Sequence, residues 1–185
     1  MHLLITGGAG FIGSNLTDHF LRAGYKVTIF DNLSRSGVER NLAWLQTNYS
    51  KRLRVVEGDV RDFDAVRAVV SEAGMVFHLA SQVAVTTSVT DPRTDFEINA
   101  WGTFNVLEAV RQAGRNPILV FTSTNKVYGG LEHVETVEEE TRYRMVDYPD
   151  GIPETCPLDF HSPYGCSKGA ADQYVRDYAR IYGLR

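Results

Sequence analysis

Tyr164 and Lys168 stand four residues apart near the end of the chain, in Tyr164-Gly165-Cys166-Ser167-Lys168. On a helix that spacing puts both side chains on one face, so a phenol and an ammonium can serve one site. A free phenol titrates at about 10 and is a poor base at neutral pH, but a neighbouring cation favours the phenolate. The spacing alone is common on amphipathic helices, so its meaning depends on what stands beside it. The partner stretch is Phe121-Thr122-Ser123-Thr124-Asn125-Lys126-Val127-Tyr128-Gly129, which leaves the carboxyl end of an apolar run. Ligands of open α/β sheets bind at that end of the strands. Ser123 and Thr124 offer hydroxyls there, and one of them can steady a substrate proton as Tyr164 removes it. Read alone, the same residues equally make a plain turn that caps a strand.

The elements that must position these groups begin at the N-terminus. A short apolar run, 3–5, breaks into glycines spaced G-x-x-G-x-x-G at Gly7, Gly10 and Gly13, and a helical pattern follows through Ile12, Leu16, Phe20 and Leu21. Such glycines give a tight strand-to-helix turn, room for a pyrophosphate against the backbone, and close packing of helix on sheet. The free N–H groups of the helix then face the phosphates. A second β-branched and aromatic run, 26–30, ends at Asp31, 18 residues after Gly13. An acid at that distance binds the ribose hydroxyls of an adenosine and repels a 2′-phosphate, which favours NAD over NADP. Arg35, close by, softens that preference. With a nicotinamide dinucleotide in place, Lys168 could bridge to its ribose, and the cationic ring would further favour the Tyr164 phenolate.

Helix-like and strand-like patterns alternate along the chain, which predicts parallel β-α-β units. Further strands are expected at 53–57, 75–79 and 117–122, and a helix capped by Asp62 follows the first of these. The small-residue stretch 80–88 reads as a loop. Asp91-Pro92 opens a long helix running to about Gly114, and 123–161 is polar and irregular, with an acidic run at Glu138-Glu139-Glu140. The last helix spans 162–182. A length of 185 residues suits one domain, and the net charge of −4 gives no basic field for nucleic acid or an anionic membrane. Any anionic ligand must therefore be held by local amides and a few cations. No apolar stretch is long enough for a membrane span, and the N-terminus reads as a strand, not a signal peptide. Cys156 and Cys166 lack metal-site spacing, so no metal is expected, and reduced thiols fit a cytoplasmic protein. The chain stops at Gly183-Leu184-Arg185, where a new strand would be expected, which reads as a cut through a larger protein.

Together these residues resemble the extended short-chain dehydrogenase/reductases, the sugar-nucleotide epimerase and dehydratase family. The likeness spans the chain and includes Gly58-Asp59-Val60, His78-Leu79-Ala80 and Asn99 besides the glycines, Asp31-Asn32, the 122–129 stretch and Tyr164/Lys168. It implies a doubly wound parallel-sheet Rossmann fold. It also makes 1–185 an NAD-binding N-terminal domain lacking its last strands and a C-terminal substrate domain. Such a piece is expected to expose sheet edge, to be poorly stable alone and to be incomplete for catalysis. By the resemblance Thr124 is the catalytic Ser/Thr, with Ser123 beside it, acting with Tyr164 and Lys168. The NAD site comprises Gly7, Gly10, Phe11, Ile12, Gly13, Asp31, Asn32, Ser34, Arg35, Asp59, Val60, Leu79, Ala80, Ser81, Asn99, Tyr164 and Lys168. Asp59 and Val60 would meet the adenine, and Leu79 to Ser81 would form the loop at the nicotinamide side. Asn99 would order the site, although it equally reads as a buried asparagine tying up helix backbone. Relatives pair through two long helices, here near 91–113 and 162–182, which implies a homo-oligomer.

Within the family, 122–129 taken with 159–174, and Ser81 to Ser88, resemble the CDP-paratose 2-epimerases, also called CDP-tyvelose 2-epimerases. The family's 4,6-dehydratases place Asp-Glu directly after the catalytic Thr, whereas this chain has Asn125-Lys126. An amide and an ammonium cannot replace that acid and base in eliminating water. The resemblance thus implies epimerisation of a CDP-sugar by transient oxidation at C2. The alternatives are another sugar-nucleotide epimerase, such as a UDP-sugar 4-epimerase, and a non-catalytic NAD-binding sensor.

Overall fold

Alternation along the first strand sets the layering of the molecule. The structure, a computed structural model, describes residues 1–185. Strand β1 (His2–Thr6) pairs in parallel with β2 (Lys26–Asp31) on one side and β4 (Met75–His78) on the other. With β3 (Leu53–Glu57) and β5 (Ile118–Phe121) they form one parallel sheet of order β3-β2-β1-β4-β5. The order reverses between β1 and β4, and the crevice for a ligand opens at that switch point. Leu4, Phe30 and Val76 face one layer, where α3 (Phe63–Val70) and α6 (Gly102–Gln112) contribute Val66, Val70, Val106 and Val110. Leu3, Ile5, Val27 and Phe77 face the other, against Leu21 of α1 (Phe11–Arg22), and α2 (Val38–Asn48) covers Ile29 with Leu42 and Leu45. Burial on both faces explains why these strands read as nearly continuous apolar runs.

All five expected strands are present, each end within a residue of the expected bound. The cap readings hold too: Asp62 accepts from Ala65 N (3.1 Å), and Asp91 accepts from Thr94 N (3.1 Å) ahead of α5 (Pro92–Phe96).

The structure differs from the sequence expectation in three places. The expected loop at 80–88 contains α4 (Val85–Thr90), a helix that its β-branched residues do not advertise. Tertiary contact supports it, since the Ser88 hydroxyl accepts from Tyr164 N (3.1 Å) at the start of α7 (Ser162–Tyr182). The long helix after Asp91 is not uniform: a π turn at Glu97–Trp101 separates α5 from α6 and carries Asn99. The 123–161 segment also holds structure, a 3₁₀ turn at Asn125–Tyr128 and an antiparallel hairpin of β6 (Thr136–Glu138) and β7 (Tyr143–Met145). This excursion returns to its starting point. Asp159 N donates to Val127 O (2.9 Å), and a Cβ on Gly129, at φ 70°, would lie 2.5 Å from Asp159 O.

Candidate active site

A cleft of about 510 Å³ runs across the carboxyl ends of the strands. Its Asp31 end is built from backbone. Gly7 has φ 68°, and a Cβ on Gly13 would stand 2.2 Å from Gly7 O, so only glycine allows α1 to start this close to β1. Helix α1 begins after Gly10 with no side-chain cap, leaving its first N–H groups for a ligand. Phe11 and Ile12 flank that opening and are exposed. Asp31 ends β2 on the same wall, where Oδ2 accepts from Ala9 N (3.0 Å) and Oδ1 from Leu33 N (3.0 Å). Beside it, Asn32 Nδ2 donates to Asp59 Oδ2 (2.9 Å), and Asn32 Oδ1 accepts from the Ser34 hydroxyl (2.7 Å). Hydrogen bonds from the Arg61 guanidinium hold the Asp59 carboxyl down at about 2. Ser34, Arg35 and Val60 complete this end of the lining.

The other end is built from side chains. The Thr6 hydroxyl accepts from Leu79 N and Ala80 N (both 3.2 Å), which fixes the loop after β4. That hydroxyl also meets His78 Nδ1 at 2.7 Å, and His78 Nε2 lies 3.0 Å from Thr103 Oγ1. Thr103 must give its proton to Asn99 O (2.6 Å), because a carbonyl only accepts. Its oxygen therefore accepts from His78 Nε2–H, Nδ1 accepts from Thr6, and the imidazole is neutral. Burial, and secondly the Lys168 charge, push His78 down to about 3.

Asn99 Oδ1 accepts from the Ser81 hydroxyl (2.8 Å) and Gln82 N (2.9 Å), while Nδ2 reaches Ser167 Oγ (3.1 Å). Tyr164 and Lys168 both line the cleft, as expected of one helix face. Lys168 is 4% exposed, donates to Thr122 O (2.7 Å) and lies 4.2 Å from the centre of the Phe121 ring. Burial pulls it down to about 8.

The structure brings Gly7, Gly10, Phe11, Ile12, Gly13, Asp31, Asn32, Ser34, Arg35, Asp59, Val60, Leu79, Ala80, Ser81, Ser123, Tyr164 and Lys168 onto one wall. Two expected residues stand elsewhere. Asn99 is buried behind the lining and hydrogen-bonds to it through Ser81. Thr124 lies just beyond it, its hydroxyl accepting from Lys126 N (3.3 Å) to cap the 3₁₀ turn. Sequence reasoning missed Thr6, Asp95, Thr103 and Ser167, the supports of the redox end. A signal existed: Asp95, Asn99 and Thr103 recur every four residues, a polar stripe on a helix face that should be apolar. No group of three His, Cys, Asp or Glu residues is placed to hold a metal ion, and no helix is long and apolar enough to cross a membrane.

The model of the GDP-mannose 4,6 dehydratase family matches residues 4–185. The chain belongs to that family, one of the extended short-chain dehydrogenase/reductases. It is 54% identical to a CDP-paratose 2-epimerase of Salmonella typhi over its whole length, which is 54% of that protein. The UDP-glucose 4-epimerase of Thermus thermophilus, solved in complex with NAD, superposes with a TM-score of 0.77 at 36% identity. A dTDP-glucose 4,6-dehydratase of Streptomyces venezuelae, solved with NAD bound, gives 0.81 at 32%. Both cover all of this chain, which covers 53% of each. The chain spans about half the length of the curated relatives it matches.

Proposed function

We propose that this chain is the NAD-binding part of a sugar-nucleotide epimerase that interconverts CDP-paratose and CDP-tyvelose. One observation carries the reading: a single cleft has Asp31 at one end and the Tyr164/Lys168 pair at the other. Its glycine cradle and the uncapped start of α1 fit a pyrophosphate, and Asp31 fits the adenosine ribose. NAD, held there, would supply a reversible acceptor for a hydride of the sugar. The chain does the rest. Tyr164, as phenolate, takes the proton of the C2 hydroxyl while Ser123 or Thr124 hydrogen-bonds that oxygen, and Lys168 brings its ammonium to the same cleft. The C2 hydrogen leaves as hydride, giving a ketosugar. Once the turned sugar is reduced on its other face, Tyr164 would give the proton back.

The 54% identity to a CDP-paratose 2-epimerase supports that substrate over a UDP-sugar, and Asn125-Lys126 argues against a 4,6-dehydratase. We further propose that a C-terminal part follows and encloses the nucleotide sugar, which makes 1–185 incomplete for turnover. Free Cys156 and Cys166 support a cytoplasmic setting. Exposed Trp101, Tyr174 and Tyr182 on the two long helices support pairing of two copies there. Incubating the full-length protein with CDP-paratose and with UDP-galactose, side by side, tests the reading. CDP-tyvelose is the expected product, and turnover of UDP-galactose alone would replace this reading with a 4-epimerase.

A further inference from the structure

The chain buries one carboxylate and one ammonium, and both belong to the same cluster. Lys168 has exchanged water for the Thr122 carbonyl and the Phe121 ring, weak compensation for an ion. The reaction proposed above needs it charged. Its surroundings hold four other titratable groups. His78 on β4 is locked neutral by Thr6 and Thr103. Tyr164 lies one turn back on α7, and Asp172 one turn on, partly exposed. Strand β5 offers only the Phe121 ring, and the residue after it the Thr122 carbonyl.

The fourth group is Asp95 on α5, which is 0% exposed. Both its oxygens accept: Oδ2 from the Ser167 hydroxyl, and Oδ1 from Asn99 Nδ2 (3.2 Å). Two donors and no acceptor match an ionised carboxylate. Ser167 directly precedes Lys168 and also accepts from Asn99 Nδ2 (3.1 Å), so the clamp grips the turn of α7 that carries the lysine. Partly exposed Asp172 and buried Asp95 both favour the charged lysine, and of the two only Asp95 also grips the turn that carries it.

We propose that Asp95 is a positioning residue of the reaction: clamped by Ser167 and Asn99, it fixes the turn bearing Lys168 and keeps that lysine an ammonium beside Tyr164. It touches neither sugar nor dinucleotide. The proposal rests on the reading of Tyr164 as the base. Burial raises the Asp95 pKa, while the Ser167 hydroxyl and the Lys168 charge pull it back.

The test is the pH profile of kcat for the full-length protein, on whichever of the two nucleotide sugars it turns over. Asp95→Asn keeps the shape and removes the charge, so Lys168 loses its proton at lower pH and the phenolate loses its cation. The rising limb of kcat is then expected to move up by about one pH unit, with a loss of roughly tenfold at pH 7 that is recovered at high pH. A uniform loss at every pH, with the limb unmoved, would overturn the proposal. Ser167→Ala loosens the clamp and should move the limb the same way by less. It decides the question if Asp95→Asn does not fold, and an unmoved limb there sinks the idea. Tyr164→Phe separates the two levels: full turnover in that variant removes the underlying reading, whereas lost turnover with an unmoved Asp95→Asn limb removes only the role of Asp95.

Discussion

The two ends of the cleft do comparable jobs with opposite materials. The adenosine end draws on residues 7–13, 31–35 and 58–60, and its shape comes from main chain: glycines, an uncapped helix start, and a carboxylate held by two backbone N–H groups. The proposed redox end draws on β1, β4, α5, the π turn, α6, β5 and α7, and is held by a side-chain network of Thr6, His78, Asp95, Asn99, Thr103 and Ser167. A backbone site tolerates most side-chain changes and fails where a Cβ is added. A side-chain network instead responds to protonation and to the loss of any single donor.

The largest expected effect belongs to the redox end alone. Tyr164→Phe should lower turnover by roughly 10²–10⁴-fold while leaving NAD affinity within about twofold, by calorimetry and product assay. A matching loss of affinity would blur the division between the ends. At the adenosine end, Gly13→Ala places a methyl 2.2 Å from Gly7 O and should weaken NAD binding at least 100-fold, on the order of 3 kcal/mol. Unchanged affinity would show that the turn is not the phosphate cradle. Asp31→Asn should cost about tenfold in NAD affinity and raise the NADP/NAD ratio, read by competitive titration.

A smaller effect concerns pH. His78 is neutral and buried when folded, at about 3, and returns to an ordinary value when unfolded. Unfolding therefore takes up a proton at any pH between those values. Stability should fall as pH drops below about 6.5, by up to about 1.4 kcal/mol per unit, with the loss complete near 3. Thermal unfolding at pH 7, 6 and 5 measures this, and His78→Gln should flatten the slope. A variant with the wild-type slope would assign the acid sensitivity to another group. Thr103→Val, which leaves His78 Nε2–H without its acceptor, should destabilise by about 1–3 kcal/mol in denaturant unfolding.

The same contrast explains what the sequence made legible. The five strands, the long helices and the adenosine end follow from local pattern: apolar runs, caps at Asp62 and Asp91, and glycines whose spacing has a geometric reason. Beyond the stripe of Asp95, Asn99 and Thr103, the other end depends on long-range contacts such as His78 to Thr103, 25 residues apart, and Ser88 to Tyr164 N, 76 apart. No local period reports these. Helix α4 lay hidden because its β-branched residues read as loop. The π turn was missed because an extra residue in one turn disturbs the apolar period too little to be seen, although such turns gather at functional sites. Helical spacing reveals Tyr164 and Lys168, whereas Asp95 stands out only against its helix neighbours Asn99 and Thr103.

The pinned excursion between Gly129 and Asp159 has a consequence for how this enzyme type diversifies. Its two ends meet at Val127 and Asp159, so the intervening thirty-odd residues hang from one point, like a drawer on a fixed frame. Insertions or deletions inside it need not transmit strain to Ser123 on one side or Tyr164 on the other. The segment can therefore vary as a single cassette while residues 123 and 164 stay in register.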